Sequence, residues 1–183
     1  MRSFNMLINK VLIFFLCVLL LACNRPSAHE GGATTGEPQN ASLEEQLIRA
    51  NREVALDEDQ QIDDLISRYG WKMNRSETGL RYQVYDSSNG APVVRGNRVT
   101  LRYSVRLIDG GEVYSSEELG VKTFVVGKGT VIAGLEEALL LLKEKDKARL
   151  VIPSFLGHGL TGDGDKIPPK ATLIYLLEVI YVE

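Results

Sequence analysis

The chain has 183 residues, a quarter of them charged, and a formal net charge of -3. That length holds one domain of ordinary size plus flanking segments. The balance lacks the basic stripe of a nucleic-acid binder, and two histidines (His29, His158) and two cysteines (Cys17, Cys23) in no cluster exclude a His/Cys metal site.

The first segment reads as an address. Arg2 and Lys10 flank a start that becomes almost continuously apolar from Val11 to Ala22. Twelve residues suit a signal core and are short for a membrane span. The run ends Leu20-Leu21-Ala22-Cys23, which resembles the bacterial lipoprotein processing box. The resemblance implies cleavage before Cys23 and lipidation of that cysteine, so residues 1–22 are the signal and two or more acyl chains anchor the chain to a membrane. Asn24 in place of an aspartate favours the outer membrane in the same pattern. Residues 23–41 are rich in Gly, Pro, Ser and Thr with few large apolar side chains, which predicts a flexible tether.

A helical arm is expected over 42–70. Ser42 with Glu45 forms a capping box. Apolar residues recur at Leu43, Leu47, Ala50 and Val54, then at Ile62, Leu65, Ile66 and Tyr69, and Gly70 closes the run. The stripe weakens through residues 57–61, so the pattern allows one bent helix or two short ones. It allows two uses as well: a helix docked on its own domain, or an arm for homodimerisation or partner binding. Trp71 follows at once and is expected to fix the helix to the domain.

From about residue 78 the period changes to two. Residues 79–85 and 99–107 alternate apolar and polar, with Val99, Leu101, Tyr103, Val105 and Leu107 on one face. Turn clusters at 86–90 and 109–111 separate the strands. Further extended pieces are predicted at 112–115, 124–126, 147–152 and 171–182, with a long glycine-containing loop over 153–170. One short helix interrupts them: Leu135, Ala138, Leu139 and Leu142 repeat at helical spacing after Gly134, with Glu136 and Glu137 placed for its first turn. The expected class is α+β, an antiparallel sheet with that helix packed across its concave face, over residues 71–183.

The turn from Val131-Ile132 into this helix leaves backbone N–H groups beside apolar side chains, an uncharged floor suited to a peptide amide. Its sequence, VIAGLEEAL at 131–139, and IPPKATL at 167–173, together with Leu107-Ile108-Asp109-Gly110, Ser115-Ser116, Phe124 and Gly127, resemble the FKBP-type peptidyl-prolyl isomerases over roughly residues 78–183. The lipoprotein start, the helix before Trp71 and Leu135 resemble the gliding-motility-associated branch of that family. The resemblance implies isomerisation of Xaa-Pro bonds in proline-containing polypeptides. That reaction needs no cofactor, nucleophile or metal: the twisted amide loses resonance and charge separation, and a dry apolar cradle favours it over the planar form.

Carried over by position, the resemblance implies a cradle of Tyr103, Val131, Ile132, Leu135, Ile167 and Tyr175, with the Ile132 N–H donating to a substrate carbonyl. Leu135 stands where many members have a tryptophan floor, and His158 where many have a tyrosine donor. Val113 and Tyr114 occupy the wall positions at which many active members carry an aromatic followed by an aspartate. An aromatic is also missing near Lys122. These departures predict a reduced rate. They also keep open a second function, a catalytically weak chaperone or scaffold module of an envelope assembly. Asp163-Gly164-Asp165 lacks the further oxygens of a calcium loop, Gly127-Lys128-Gly129-Thr130 lacks phosphate-loop spacing, and the single histidine beyond residue 41 argues against a hydrolase.

Overall fold

The computed structural model describes residues 42–183. The expected signal, the lipidation site Cys23 and the tether lie outside the described residues. Helix α1 (Leu43–Tyr69) comes first, followed by strands β1 (Asn74–Arg75), β2 (Arg81–Asp86), β3 (Arg98–Leu107) and β4 (Glu112–Ser115). Next are the one-turn helix α2 (Ser116–Leu119), β5 (Lys122–Val125), α3 (Ala133–Leu139) and β6 (Lys147–Ile152). A 3-10 turn (Ser154–Leu156) and β7 (Leu173–Val182) complete the chain.

Among the described residues the sheet has seven strands in the order β1-β2-β6-β7-β3-β4, every pairing antiparallel. β5 pairs with the first half of β3 and β4 with its second half. The long strand β3 therefore carries two short edge strands on one side, and the chain between them is free to bend over the sheet.

One face of this sheet meets α3. Leu135, Ala138, Leu139 and Leu142 are buried with Val99, Leu101, Leu150, Ile152, Leu173 and Leu177 in one apolar core. The opposite face is buried too. Val151 and Ile174 alternate with those core residues along β6 and β7, and they pack with Ile62 and Leu65 of α1. Double burial explains why β6 reads as a continuous apolar run at its end rather than as an alternation. Ile62 and Leu65, at 0% and 3% exposure, each contribute about 2 kcal/mol by leaving water.

The arm is a single helix of 27 residues, which resolves the choice between one helix and two. Its stripe weakens over 57–61 because that part binds through charge. Asp59 and Asp63 accept from Arg81 Nη2 at 2.7 and 2.8 Å, and the same guanidinium donates through Nη1 to the Gly79 carbonyl at 2.6 Å. Arg81 is 3% exposed. Burial works against the Asp59 anion, but Arg81 and Arg75 hold its carboxyl below the ordinary carboxylate range. Trp71 stacks on Tyr69 with centroids 4.8 Å apart and packs on the α1 contact cluster, under the Arg149 guanidinium at 4.3 Å. The helix is thus docked through its C-terminal half. Its N-terminal half leaves Leu43, Leu47, Ile48, Val54 and Leu56 exposed.

Candidate functional site

A hollow of about 430 Å³ opens between β3, β7, α3 and the loop after β6. It is built from a cross-strand row. Val105 of β3 lies opposite Tyr114 of β4 on one side and Tyr175 of β7 on the other, and all three side chains line the hollow. Leu101 and Tyr103, on the same face of β3, extend it. Ser116 steadies Tyr103: its Oγ accepts the Tyr103 N–H at 2.6 Å and donates to the Tyr103 carbonyl at 3.2 Å.

The floor is the start of α3. Ile132 is its N-cap in extended geometry (φ -60°, ψ 149°), and its carbonyl accepts from the N–H groups of Leu135 and Glu136, both at 3.1 Å. The Ile132 N–H has no acceptor among the described residues and stays available to a ligand. Val131, Ile132 and Leu135 line the hollow. Glu136 stands in the first turn as expected, Glu137 does not, and both bond to neighbouring segments. Glu136, in the first turn, accepts from the backbone N–H groups of Gly127 and, at 3.1 Å, Gly129, so it ties down the preceding loop. Glu137 accepts from the Thr78 hydroxyl at 2.7 and 2.8 Å.

The rim comes from the loop over 153–170, which brings His158, Asp163 and Ile167 to the hollow. The loop folds back tightly at Gly162. Its φ is +70°, and a Cβ there would lie 2.2 Å from the Ile167 carbonyl oxygen, so only glycine fits. Asp163 Oδ1 accepts the N–H groups of Asp165 at 2.9 Å and Ile167 at 2.8 Å, while Oδ2 accepts the Tyr114 hydroxyl at 2.5 Å. This bond, with burial, pushes the Tyr114 phenol up to about 12. Burial opposes the Asp163 anion, but its donors and nearby His158 hold it below the usual carboxylate range. Burial, with Tyr103 close by, raises the Tyr175 phenol. Neither the Tyr103 nor the Tyr175 hydroxyl has a hydrogen-bond partner among the described residues. Both tyrosines face the hollow with a hydroxyl to offer.

Eight of the nine residues carried over for the cradle and its wall meet here: Tyr103, Tyr114, Val131, Ile132, Leu135, His158, Ile167 and Tyr175. Val113 does not. The register between β3 and β4 slips beside it, pairing Val105 with Tyr114 and Arg106 with Glu112. The skipped Val113 turns into the core at 7% exposure. Lining residues outside the set carried over for the cradle include Leu101, Val105, Leu119, Lys122, Thr130 and Asp163. Leu101 and Val105 were signalled by sharing the Tyr103 face. Asp163 carried no such signal, because its partner lies 49 positions away.

Comparison with known proteins places this geometry. The model of the FKBP-type peptidyl-prolyl cis-trans isomerase family matches residues 90–180. The FKBP-type 22 kDa peptidyl-prolyl cis-trans isomerase of Escherichia coli (strain K12) is 36% identical over 110 residues, covering 60% of this chain and 53% of that protein. The chain thus spans about half the length of that relative. An FK506-binding protein of Neisseria meningitidis serogroup C is 40% identical over 96 residues, covering 52% of this chain and 88% of the relative. The crystal structure of FkpA from Escherichia coli superposes with a TM-score of 0.62 at 28% identity, covering 79% of this chain and 74% of that one.

Proposed function

Because the chain belongs to the FKBP-type peptidyl-prolyl cis-trans isomerases, we propose that the hollow between β3, β7 and α3 binds Xaa-Pro segments and rotates their imide bond. The observation that carries this is the convergence of Tyr103, Ile132 and Tyr175 on one open apolar cavity with unused donors. Leu101, Val105, Val131, Leu135 and Ile167 surround the proline ring and keep water from the imide. The Ile132 N–H holds a substrate carbonyl, and the Tyr103 and Tyr175 hydroxyls are further donors. Planar Xaa-Pro amide is stabilised in water by solvation of its charge separation, which the cavity withholds. The twisted form has less of that separation to solvate, so the cavity binds it better, and the barrier of about 20 kcal/mol falls. His158 is placed to donate to the peptide from the rim. A protease-coupled Xaa-Pro assay tests this on residues 42–183. Tyr103→Ala is expected to lower kcat/KM about tenfold, whereas rates equal to buffer for the parent reject the reaction.

We further propose that Cys23 carries a lipid, residues 23–41 form the tether, and the domain serves exported proteins outside the cytoplasm at a bacterial envelope, the outer membrane favoured. The apolar run before Cys23 supports this reading. A second reading is a scaffold or chaperone of reduced activity, of the gliding-motility kind, with α1 contacting a partner or a second copy. It is favoured by the exposed Leu43, Leu47, Ile48 and Val54. Fractionation and cross-linking of the full chain separate these. Cys23→Ser is expected to move the protein from the membrane fraction to the soluble one. Leu47→Asp with Val54→Asp should abolish cross-linked species if α1 binds a partner, and cross-linking indifferent to the helix changes counts against the arm.

A further inference from the structure

The rim of the hollow is closed by one hydrogen-bonded unit that draws on two distant parts of the chain. Tyr114 comes from β4 and Asp163 from the loop after β6. Their bond, Oη to Oδ2 at 2.5 Å, is charge-assisted and short. The other Asp163 oxygen takes the Ile167 N–H at 2.8 Å, and Ile167, 3% exposed, is itself part of the cavity wall. One carboxylate therefore ties a wall side chain, Tyr114, and the backbone of a second wall residue, Ile167. The surroundings add to this. Tyr114 Oη also reaches Asp165 Oδ2 at 3.3 Å, and Lys166 Nζ sits 5.2 Å from the Tyr114 ring centroid while pairing with Glu118 at 3.0 Å.

The pattern at Tyr114 is an exchange. The resemblance expects a carboxylate at that strand position. Here the strand supplies a phenol and the loop supplies the carboxylate. A hydrogen bond joining strand and loop at the rim is thus formed with donor and acceptor placed on Tyr114 and Asp163 respectively.

Resting on the reading of the hollow as the Xaa-Pro site, we propose that Tyr114 and Asp163 act as a positioning pair for the peptide. Asp163 holds the Tyr114 ring and the Ile167 backbone in one arrangement at the cavity wall, against which the peptide seats. An Asx-type turn serving the loop alone would explain the bonds to Asp165 and Ile167 but not the one to Tyr114. Tyr114→Phe separates the two, since it removes one hydroxyl and leaves the turn intact.

The test is a double-mutant cycle on Tyr114→Phe and Asp163→Ala. It is read as the Kd of a fluorescein-labelled Xaa-Pro peptide, with kcat/KM and the thermal midpoint beside it. Each single change is expected to weaken peptide binding about tenfold, and the double change no more than the larger single one, because both break one unit. Tyr114→Phe should do so with a parent-like thermal midpoint. Losses that multiply to about a hundredfold, or a Tyr114→Phe variant that binds like the parent, overturn the pair. A parent that binds the peptide without isomerising it would reject the reaction, yet the Kd cycle still decides for or against the pair. A catalytically active parent with an additive cycle rejects the pair alone.

Discussion

Gly134→Ala is expected to lower the thermal midpoint by about 3–10 °C and to remove most of the isomerase activity. A Cβ at Gly134 would stand 2.4 Å from Ile152 Cγ2, with Leu156 Cβ at 3.2 Å and the Leu156 carbonyl oxygen at 3.3 Å. Ile152 cannot give way easily. It is fully buried, and a β-branched side chain has little freedom about its first torsion. The relief must come from α3 backing off β6, an overpacking strain of about 1–3 kcal/mol, which for a domain of this size corresponds to the shift in midpoint given. The same movement displaces Ile132 and Leu135, which open α3 and form the cavity floor. Displacements of about 1 Å at a positioned site can cost a hundredfold in rate. Thermal melts followed by circular dichroism, with the protease-coupled assay on the same samples, check both halves. A variant that melts and turns over like the parent would mean that α3 is not seated against β6 at all.

This glycine also marks what sequence pattern carries well. The change from period two to helical spacing at Val131-Ile132-Ala133-Gly134-Leu135 is local, and local chemistry suffices to read it. The alternation of β3 was legible for the same reason, since Leu101, Tyr103 and Val105 must share a face whatever lies across from them. Three features were not legible because they depend on register or on distant partners. Val113 lies in the core beneath the wall, turned inward by a one-residue bulge between β3 and β4 that no residue of the hairpin announces. Asp163 looked like half of a weak cation motif until the fold put a tyrosine hydroxyl against it. Asp57 to Gln61 looked like a defect in an amphipathic helix. Within that stretch, Glu58 and Asp59 reach the sheet domain by hydrogen bonds and ion pairs, which a count of apolar spacing cannot detect.

Glu58 gives the second large effect. Its carboxylate accepts the Ser154 N–H at 2.6 Å, the Ser154 hydroxyl at 2.8 Å and the Thr172 hydroxyl at 2.5 Å. Ser154 stands where the rim loop leaves β6 and Thr172 where it enters β7, so one side chain of α1 clasps both ends of the segment that carries His158, Asp163 and Ile167. Both partners are nearly buried, at 9% and 4% exposure, and water cannot readily replace the lost acceptor. Glu58→Ala is therefore expected to cost about 2–4 kcal/mol, the sum of several donors left unsatisfied. Glu58→Gln, which keeps one acceptor oxygen, should fall between it and the parent. Asp57→Ala, one residue away and exposed, should stay within about 0.5 kcal/mol. Urea unfolding midpoints rank the three. Amide hydrogen exchange over 156–167 is expected to accelerate in Glu58→Ala before global unfolding, because the clasp holds that loop specifically. Exchange there that merely follows global stability would show the clasp to be ordinary docking of α1. If the loop does loosen first, a fragment beginning at Trp71 should be a weaker isomerase than one beginning at Ser42, because the site borrows part of its rigidity from a helix that never touches the peptide.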